Sequence, residues 1–161
     1  MVIFFFFSFL ALAIDLITKQ IAFDYFEKVS HSTPVIESFL YWTRVENTGV
    51  AFGMMQGKND ILSYILPVVL VGLPIYIFFH RKEGGIFLLL MGCVYGGALG
   101  NYYDRLHFGY VRDFIDVRFG DYYYPVFNIA DAFISCSVVL MFFLSLLHSH
   151  KNKPQNQSPT E

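Results

Sequence analysis

Residues 100–116 read GNYYDRLHFGYVRDFID, setting three carboxylates and two arginines directly behind Gly84–Leu99, a segment without a charge. Within and just beyond this cluster, Asp113 of VRDFID and Asp131 of FNIAD are the residues best suited to do chemistry. If VRDFID is extended, alternation puts Val111, Asp113 and Ile115 on one face and Arg112, Phe114 and Asp116 on the other. A carboxylate sharing a face with Val and Ile is not simply solvated, unless loop geometry turns it outward. Asn128 and Asp131 have the spacing of a capping box, which is by itself a complete structural reason for Asp131. A cap requires no depth, however. The uncharged run Ala132–Leu147 covers about 24 Å as a helix, which sets Asp131 near a membrane surface and slightly inside the apolar zone.

Should these two carboxylates meet, the chemistry follows. Like charges at close range do not both ionise, so one pKa rises and the pair holds a single proton. The ionised member can activate water, while the protonated member polarises a carbonyl and later protonates a leaving amine. A helix N-terminus favours charge on Asp131, which makes Asp113 the proton carrier. No Ser–His or Cys–His pairing competes for the role, and neither HExxH nor CxxC spacing occurs. No metal and no cofactor are expected.

Asp15 and Lys19 stand four apart and share a helix face. One charge near a bilayer centre costs on the order of 2.5–3.5 kcal/mol, so they pair with each other or with groups on other helices. Two readings stand: the pair locks a bundle, or it takes part in the chemistry. Asn101, Asp104 and Arg105 close an apolar run, where Arg105 is either an interfacial anchor or part of a site.

The elements that must position these groups are membrane helices. The chain of 161 residues is 55% hydrophobic, 19% aromatic and only 15% charged, outside the usual range of a soluble domain. Its net charge of −2 leaves no footprint for nucleic acid. Four runs approach the roughly 20 residues that a hydrocarbon core demands: about 2–23, 61–79, 85–103 and 126–147. Pro67 and Pro74 in the second are tolerable where neighbouring helices satisfy the freed carbonyls. Val2–Phe23 is too long for the apolar core of a cleaved leader and is read as a retained helix. The fold class is therefore an α-helical integral membrane protein of one domain, residues 1–150, followed by a polar tail, 151–161, that is expected to be disordered.

An even number of spans puts both termini on one side and the loops 24–60 and 104–125 together on the other. The first loop, about 30–57, is rich in β-branched and aromatic residues and is broken at Asn47-Thr48-Gly49, the pattern of short strands at a membrane surface. Tyr102, Tyr103 and Tyr122–Tyr124 suit an interfacial belt. Arg81, Lys82, Lys151 and Lys153 mark the termini as cytoplasmic, whereas Lys28, Arg44, Lys58, Arg105, Arg112 and Arg118 count the other way. Adjacent acids give several of those arginines a structural role. Cys93 and Cys136 read as buried packing residues, and His148 and His150 as a solvated pair in the tail.

These blocks in this order resemble the lipoprotein signal peptidase (signal peptidase II) family of bacterial membrane aspartic peptidases. The resemblance is carried by AIDLITKQIA, NTGVAF, GNYYDR, VRDFID and FNIADAFI. It implies four transmembrane helices, both termini cytoplasmic, and a small extracytoplasmic β-cradle built from the first loop. It implies an endopeptidase of the bacterial inner membrane that removes signal peptides from diacylglyceryl-modified prolipoproteins before the lipidated cysteine, near the outer leaflet surface. The partners it implies are these substrates and membrane lipid, the inhibitor is globomycin, and a monomer is expected. The family's catalytic aspartates fall on Asp113 and Asp131. Its site-shaping or substrate-binding residues fall on Asp15, Lys19, Asn47, Gly49, Asn101, Asp104, Arg105 and Asn128. Leu16 departs from the Gln often found after the first-span Asp. Two rival classes are a proton-coupled carrier using Asp15, Lys19 and Asp131 as relay groups, and a scaffold whose acids only cap helices and pair with arginines.

Overall fold

The computed structural model describes residues 1–29, 31–49, 59–80 and 84–151. Its elements are α1 (Val2–Phe26), β1 (Ser32–Ile36), β2 (Leu40–Asn47), α2 (Asn59–Phe79), α3 (Gly85–Phe108), β3 (Val111–Phe119), β4 (Tyr122–Tyr123) and α4 (Ile129–Lys151). Among the described residues, α1, α3 and α4 are long and apolar enough to cross a membrane, and α2 adds a shorter apolar stretch, Leu66–Phe79.

Helix α1 is apolar all round, yet the residues it buries are Phe4, Ser8, Ala11, Asp15, Lys19, Ala22, Phe23 and Phe26. Apart from its aromatic residues, the stripe is small or polar, while Val2, Phe5, Phe6, Phe9, Ile17 and Ile21 face outward. That inversion is the signature of a helix solvated by lipid, whose association depends on close backbone approach and polar contacts. Helix α3 answers with glycines: Gly92 sits against Phe4 and Ser8, Gly96 against Ser8 and Ala11, and Gly100 against Asp15, while Gly97 faces Ala130 of α4. The two helices interlock along one seam.

The strands form one antiparallel sheet in the order β1-β2-β3-β4. The expected strands of the first loop are present, although their turn falls at residues 37–39 and β2 simply ends at Asn47. The stretch from Val50 to Lys58, which completes that loop, lies outside the described residues. Helix α3 ends where Gly109 adopts a left-handed conformation (φ 78°) and donates its N–H to Arg105 O at 3.1 Å. This left-handed C′ residue lets the chain enter β3 two residues later. The sheet rests on the end of the bundle through Ala22, Phe23, Phe26 and Phe114, with Trp42, Tyr110, Ile115 and Ile129 around them.

Three expectations change in detail. Cys93 is buried, but Cys136 is exposed and lines an open cavity. Helix α4 runs on to Lys151, so His148 and His150 lie on a helix rather than in the tail. Helix α3 continues to Phe108 and α1 to Phe26, past the apolar runs that announced them. The remainder of the tail, and Arg81 and Lys82, lie outside the described residues.

Candidate active site

The site forms where α1, α3, α4 and the sheet converge. Its first support is a buried ionic lattice. Asp15 and Lys19 are 0% exposed, and Lys19 Nζ lies 2.7 Å from Asp15 Oδ2 and 3.4 Å from Asp104 Oδ2. Arg112 closes on Asp104 from β3: its Nη2 donates to Oδ1 at 2.9 Å and its backbone N–H to Oδ2 at 2.9 Å. Asp104 thus ties the start of β3 to the last turns of α3. Arg112 Nη1 also donates to Gln20 Oε1 at 3.0 Å. Breaking a buried pair of this kind typically costs 3–5 kcal/mol, because the surviving charge is left alone.

The second support is the N-terminus of α4. Asn128 and Asp131 form the reciprocal cap that their spacing predicts: Asp131 N–H donates to Asn128 Oδ1 at 3.0 Å, and Asn128 N–H donates to Asp131 Oδ2 at 3.2 Å. Asp15 reaches across from α1 and accepts the Ala130 N–H at 2.9 Å. Three backbone donors that a helix start leaves unsatisfied are therefore met by carboxylate or amide oxygens. Just upstream, Phe127 bridges Ile115 of β3, with its O accepting the Ile115 N–H at 2.8 Å. That bridge seats Asn128 beside β3.

The two candidate aspartates are joined through this seat. Asn128 Nδ2 donates to Asp113 Oδ1 at 2.6 Å, while Asn47 Nδ2 donates to Asp113 Oδ2 at 2.8 Å. Asp131 Oδ1 accepts Asn101 Nδ2 at 2.8 Å. Asn101 Oδ1 in turn accepts Lys19 Nζ at 2.9 Å and Asn128 Nδ2 at 3.1 Å. Asp113 is 1% exposed. Burial, reinforced by the nearby Asp131 charge, pushes its carboxyl up to about 7, against the opposing pull of Asn47, Asn128 and Lys19. Asp116, on the opposite face of β3, shows the contrast. Its burial is outweighed by hydrogen bonds from Arg118 and Thr43, which hold it below the usual carboxylate range.

All ten residues singled out from the sequence belong to this one assembly. Gly49 donates its N–H to Asn47 Oδ1 at 2.9 Å and accepts Arg105 Nη2 at 3.0 Å, so Arg105 ties the first loop to α3 rather than simply marking the interface. A cavity of about 760 Å³ opens beside four of them, Asn47, Asn101, Arg105 and Asp131, which form its polar end. Leu66, Ala98, Val126, Phe127, Ala132, Ile134 and Cys136 continue it as an apolar wall. Such a cavity can hold a peptide bond at its polar end and hydrocarbon along the rest. Among the described residues, no group of three His, Cys, Asp or Glu side chains is disposed to hold a metal ion.

The sequence reading missed two contributors. Gln20 carries no charge and gave no sign of its bond to Arg112. The glycines of α3 did leave a signal, the repeated G-x-x-x-G spacing of Gly92, Gly96 and Gly100, which marks a helix face built for close approach.

Comparison with known proteins follows the same lines. A family model described as "Signal peptidase (SPase) II" matches residues 7–147. The lipoprotein signal peptidase of Listeria monocytogenes serotype 4a is 36% identical over 143 residues, 88% of this chain and 92% of that protein. The lipoprotein signal peptidase of Anoxybacillus flavithermus is 37% identical over 146 residues, 91% of this chain and 86% of that protein. Two solved structures described as bacterial membrane enzymes share the fold. One, at 2.3 Å resolution, has a TM-score of 0.79 and 28% identity, covering 95% of this chain and 93% of that one. The other, at 1.9 Å, has a TM-score of 0.74 and 32% identity, covering 88% and 90%.

Proposed function

The chain belongs to the signal peptidase II family, and on that premise we propose that it is an aspartic endopeptidase acting on diacylglyceryl-modified prolipoproteins. It cuts the peptide bond just before the lipidated cysteine and releases the signal peptide. Asp113 and Asp131 form the catalytic dyad. The observation that carries the reading is their shared residue: Asn128 donates to Asp113 through its side chain and to Asp131 through its backbone.

Below about pH 7 one proton resides on Asp113, the carboxyl that burial and the Asp131 charge push up to about 7. Charge balance favours the same count, since four carboxylates (Asp15, Asp104, Asp113, Asp131) face three cations (Lys19, Arg105, Arg112). Asp131 accepts two N–H donors at the start of α4, and in this reading it is the base. In the reaction Asp131 takes a proton from water as the water oxygen bonds to the scissile carbonyl carbon. Asp113 gives its proton to the carbonyl oxygen, and a tetrahedral diol forms. Collapse returns one hydroxyl proton to Asp113 and breaks the C–N bond. It is the proton taken up by Asp131, rather than the one first held by Asp113, that goes to the leaving amine, because Asp113 is reloaded from the diol in the same collapse. The remaining eight residues act as scaffold and substrate contacts, and no cofactor is needed.

The membrane setting follows from the substrate. Two acyl chains anchor it in the bilayer, so the bond must be met at the lipid–water boundary; the apolar wall that shares the cavity with Asp131 supports this setting. In this reading the four helices all span the bacterial inner membrane, with both termini cytoplasmic and the sheet outside. Three of the six basic residues that count against that orientation are neutralised locally: Arg44 by Glu46, Arg112 by Asp104 and Arg118 by Asp116. Globomycin would compete for the same cavity.

Purified Asp113→Asn and Asp131→Asn, assayed in detergent with a diacylated precursor peptide, test the proposal. Both variants should unfold cooperatively on heating and yield no product. Normal turnover by either would overturn the dyad.

A further inference from the structure

We infer that Lys19 is a positioning residue for the reaction, fixing the orientation of the Asn101 amide so that a donor faces Asp131. The inference rests on the proposed role of Asp131 as the ionised base.

A carboxamide has two ends of nearly equal shape and opposite polarity, and its orientation is set by its neighbours. Asn101 stands between Lys19 and Asn128 on one side and Asp131 on the other. Lys19 Nζ at 2.9 Å and Asn128 Nδ2 at 3.1 Å both donate to its oxygen, and its nitrogen donates to Asp131 Oδ1 at 2.8 Å. Turning the amide over would set its NH2 against an ammonium and a second NH2, and its oxygen against the Asp131 carboxylate.

The polarity of this chain originates at Lys19. An amide can reverse, but an ammonium has three donors and no lone pair. Lys19 is 0% exposed and held by Asp15 at 2.7 Å and Asp104 at 3.4 Å, so it cannot swing away. Asn128 reinforces the setting through its own Nδ2, which is directed by Asp113 on one side and by the Asp131 N–H at its oxygen. Remove the Lys19 donor, and Asn101 is free to turn its oxygen toward Asp131. The base would then face an acceptor in place of a donor.

The charged groups around this chain are few. Asp15 and Asp104 face Lys19, with Arg112 behind Asp104, while Asp113 and Arg105 act on Asp131 from β3 and α3. A test must therefore separate the lost donor from the lost charge. Asp15→Asn keeps an oxygen for the Ala130 N–H and removes the charge that Lys19 balances. In that background, Lys19→Gln retains an N–H donor and Lys19→Met does not, and both are neutral.

The two double variants should have similar unfolding temperatures in detergent. With the diacylated precursor peptide, the Met variant should show kcat about 10–100-fold below the Gln variant, the range seen when an outer partner of a site group is lost. Its KM should be nearly unchanged, a split that a loss of folded protein alone would not produce. Equal kcat would overturn the inference, as would failure of both doubles to fold, which would assign the Asp15–Lys19 pair to holding the fold together. The parent reading fails separately, through turnover by Asp131→Asn.

Discussion

Asn128 and Asp131 satisfy each other across the first turn of α4, each side chain accepting the other's backbone N–H, at 3.0 and 3.2 Å. The cap and the proposed catalytic group are thus one object, and the spare donor of Asn128 reaches Asp113 at 2.6 Å. This links helix stability to activity in a way that substitutions can separate. Asn128→Ala should lose about 1 kcal/mol from the missing cap together with most activity. Asn128→Ser keeps a capping oxygen but cannot reach Asp113. It should unfold at a higher temperature than the Ala variant yet turn over no faster. A Ser variant with full activity would show that the Asn128–Asp113 bond has no part in the reaction.

The protonation of Asp113 sets the basic limb of the rate profile. Its carboxyl titrates at about 7, and the proposed acid is the protonated form. Activity as kcat/KM should therefore fall above about pH 7, by roughly tenfold per unit once the limb is reached. Initial rates measured from pH 5 to 9 in one detergent suffice. A profile still flat at pH 9 contradicts the assignment of Asp113 as proton carrier.

The same group makes folding stability depend on pH, with a sign that runs opposite to a salt-bridged carboxylate. Its folded value, about 7, lies above the ordinary 3.8, so between those values the folded state binds more protons than the unfolded state. Stability then declines as pH rises through this window and levels off above it. Asp113→Asn removes the titration. Its stability relative to the parent protein should improve from pH 4 to pH 8 by an amount on the order of a few kcal/mol, which thermal unfolding at both pH values would register. An unchanged difference would mean that Asp113 is not forced to ionise at a cost in the fold.

Much of this site was legible in the sequence, and the reasons are physical. Asp131 announced itself twice, through the capping spacing to Asn128 and through the uncharged run behind it. Asp113 was placed by alternation, which holds because VRDFID is a strand, paired with β2 and bridged by Phe127. Alternation was too coarse on the other face. Arg112 and Asp116 were assigned there with no statement of burial, yet both are 4% exposed, because Asp104 and Gln20 receive the one and Arg118 and Thr43 the other. Spacing within one element cannot reveal partners from distant elements. Gln20 to Arg112 spans 92 positions and Ala130 to Asp15 spans 115, and neither bond has a local signature. The exposure of Cys136 was misjudged for a related reason, since an apolar run does not say which of its faces lines a cavity.

The glycines of α3 allow a last separation, between packing and site geometry. A Cβ at Gly96 would collide with the Ser8 carbonyl of α1, whereas one at Gly100 would collide with Asp15 Oδ2; at Gly72 of α2 it would meet nothing within 4 Å. Gly72→Ala should therefore be neutral or slightly stabilising, by up to about 1 kcal/mol, from helix propensity alone. Gly96→Ala pushes two backbones apart and should cost roughly 1–3 kcal/mol while leaving the ion pair deeper along α1 intact. Gly100→Ala displaces the carboxylate that holds both Lys19 and the Ala130 N–H. It should lose activity out of proportion to its unfolding temperature, because Asp15 connects the ionic lattice to the start of α4. Measuring turnover and thermal unfolding side by side for the three variants decides the matter. Equal ratios of activity to stability for Gly96→Ala and Gly100→Ala would mean that Asp15 serves only the packing of α1 against α3.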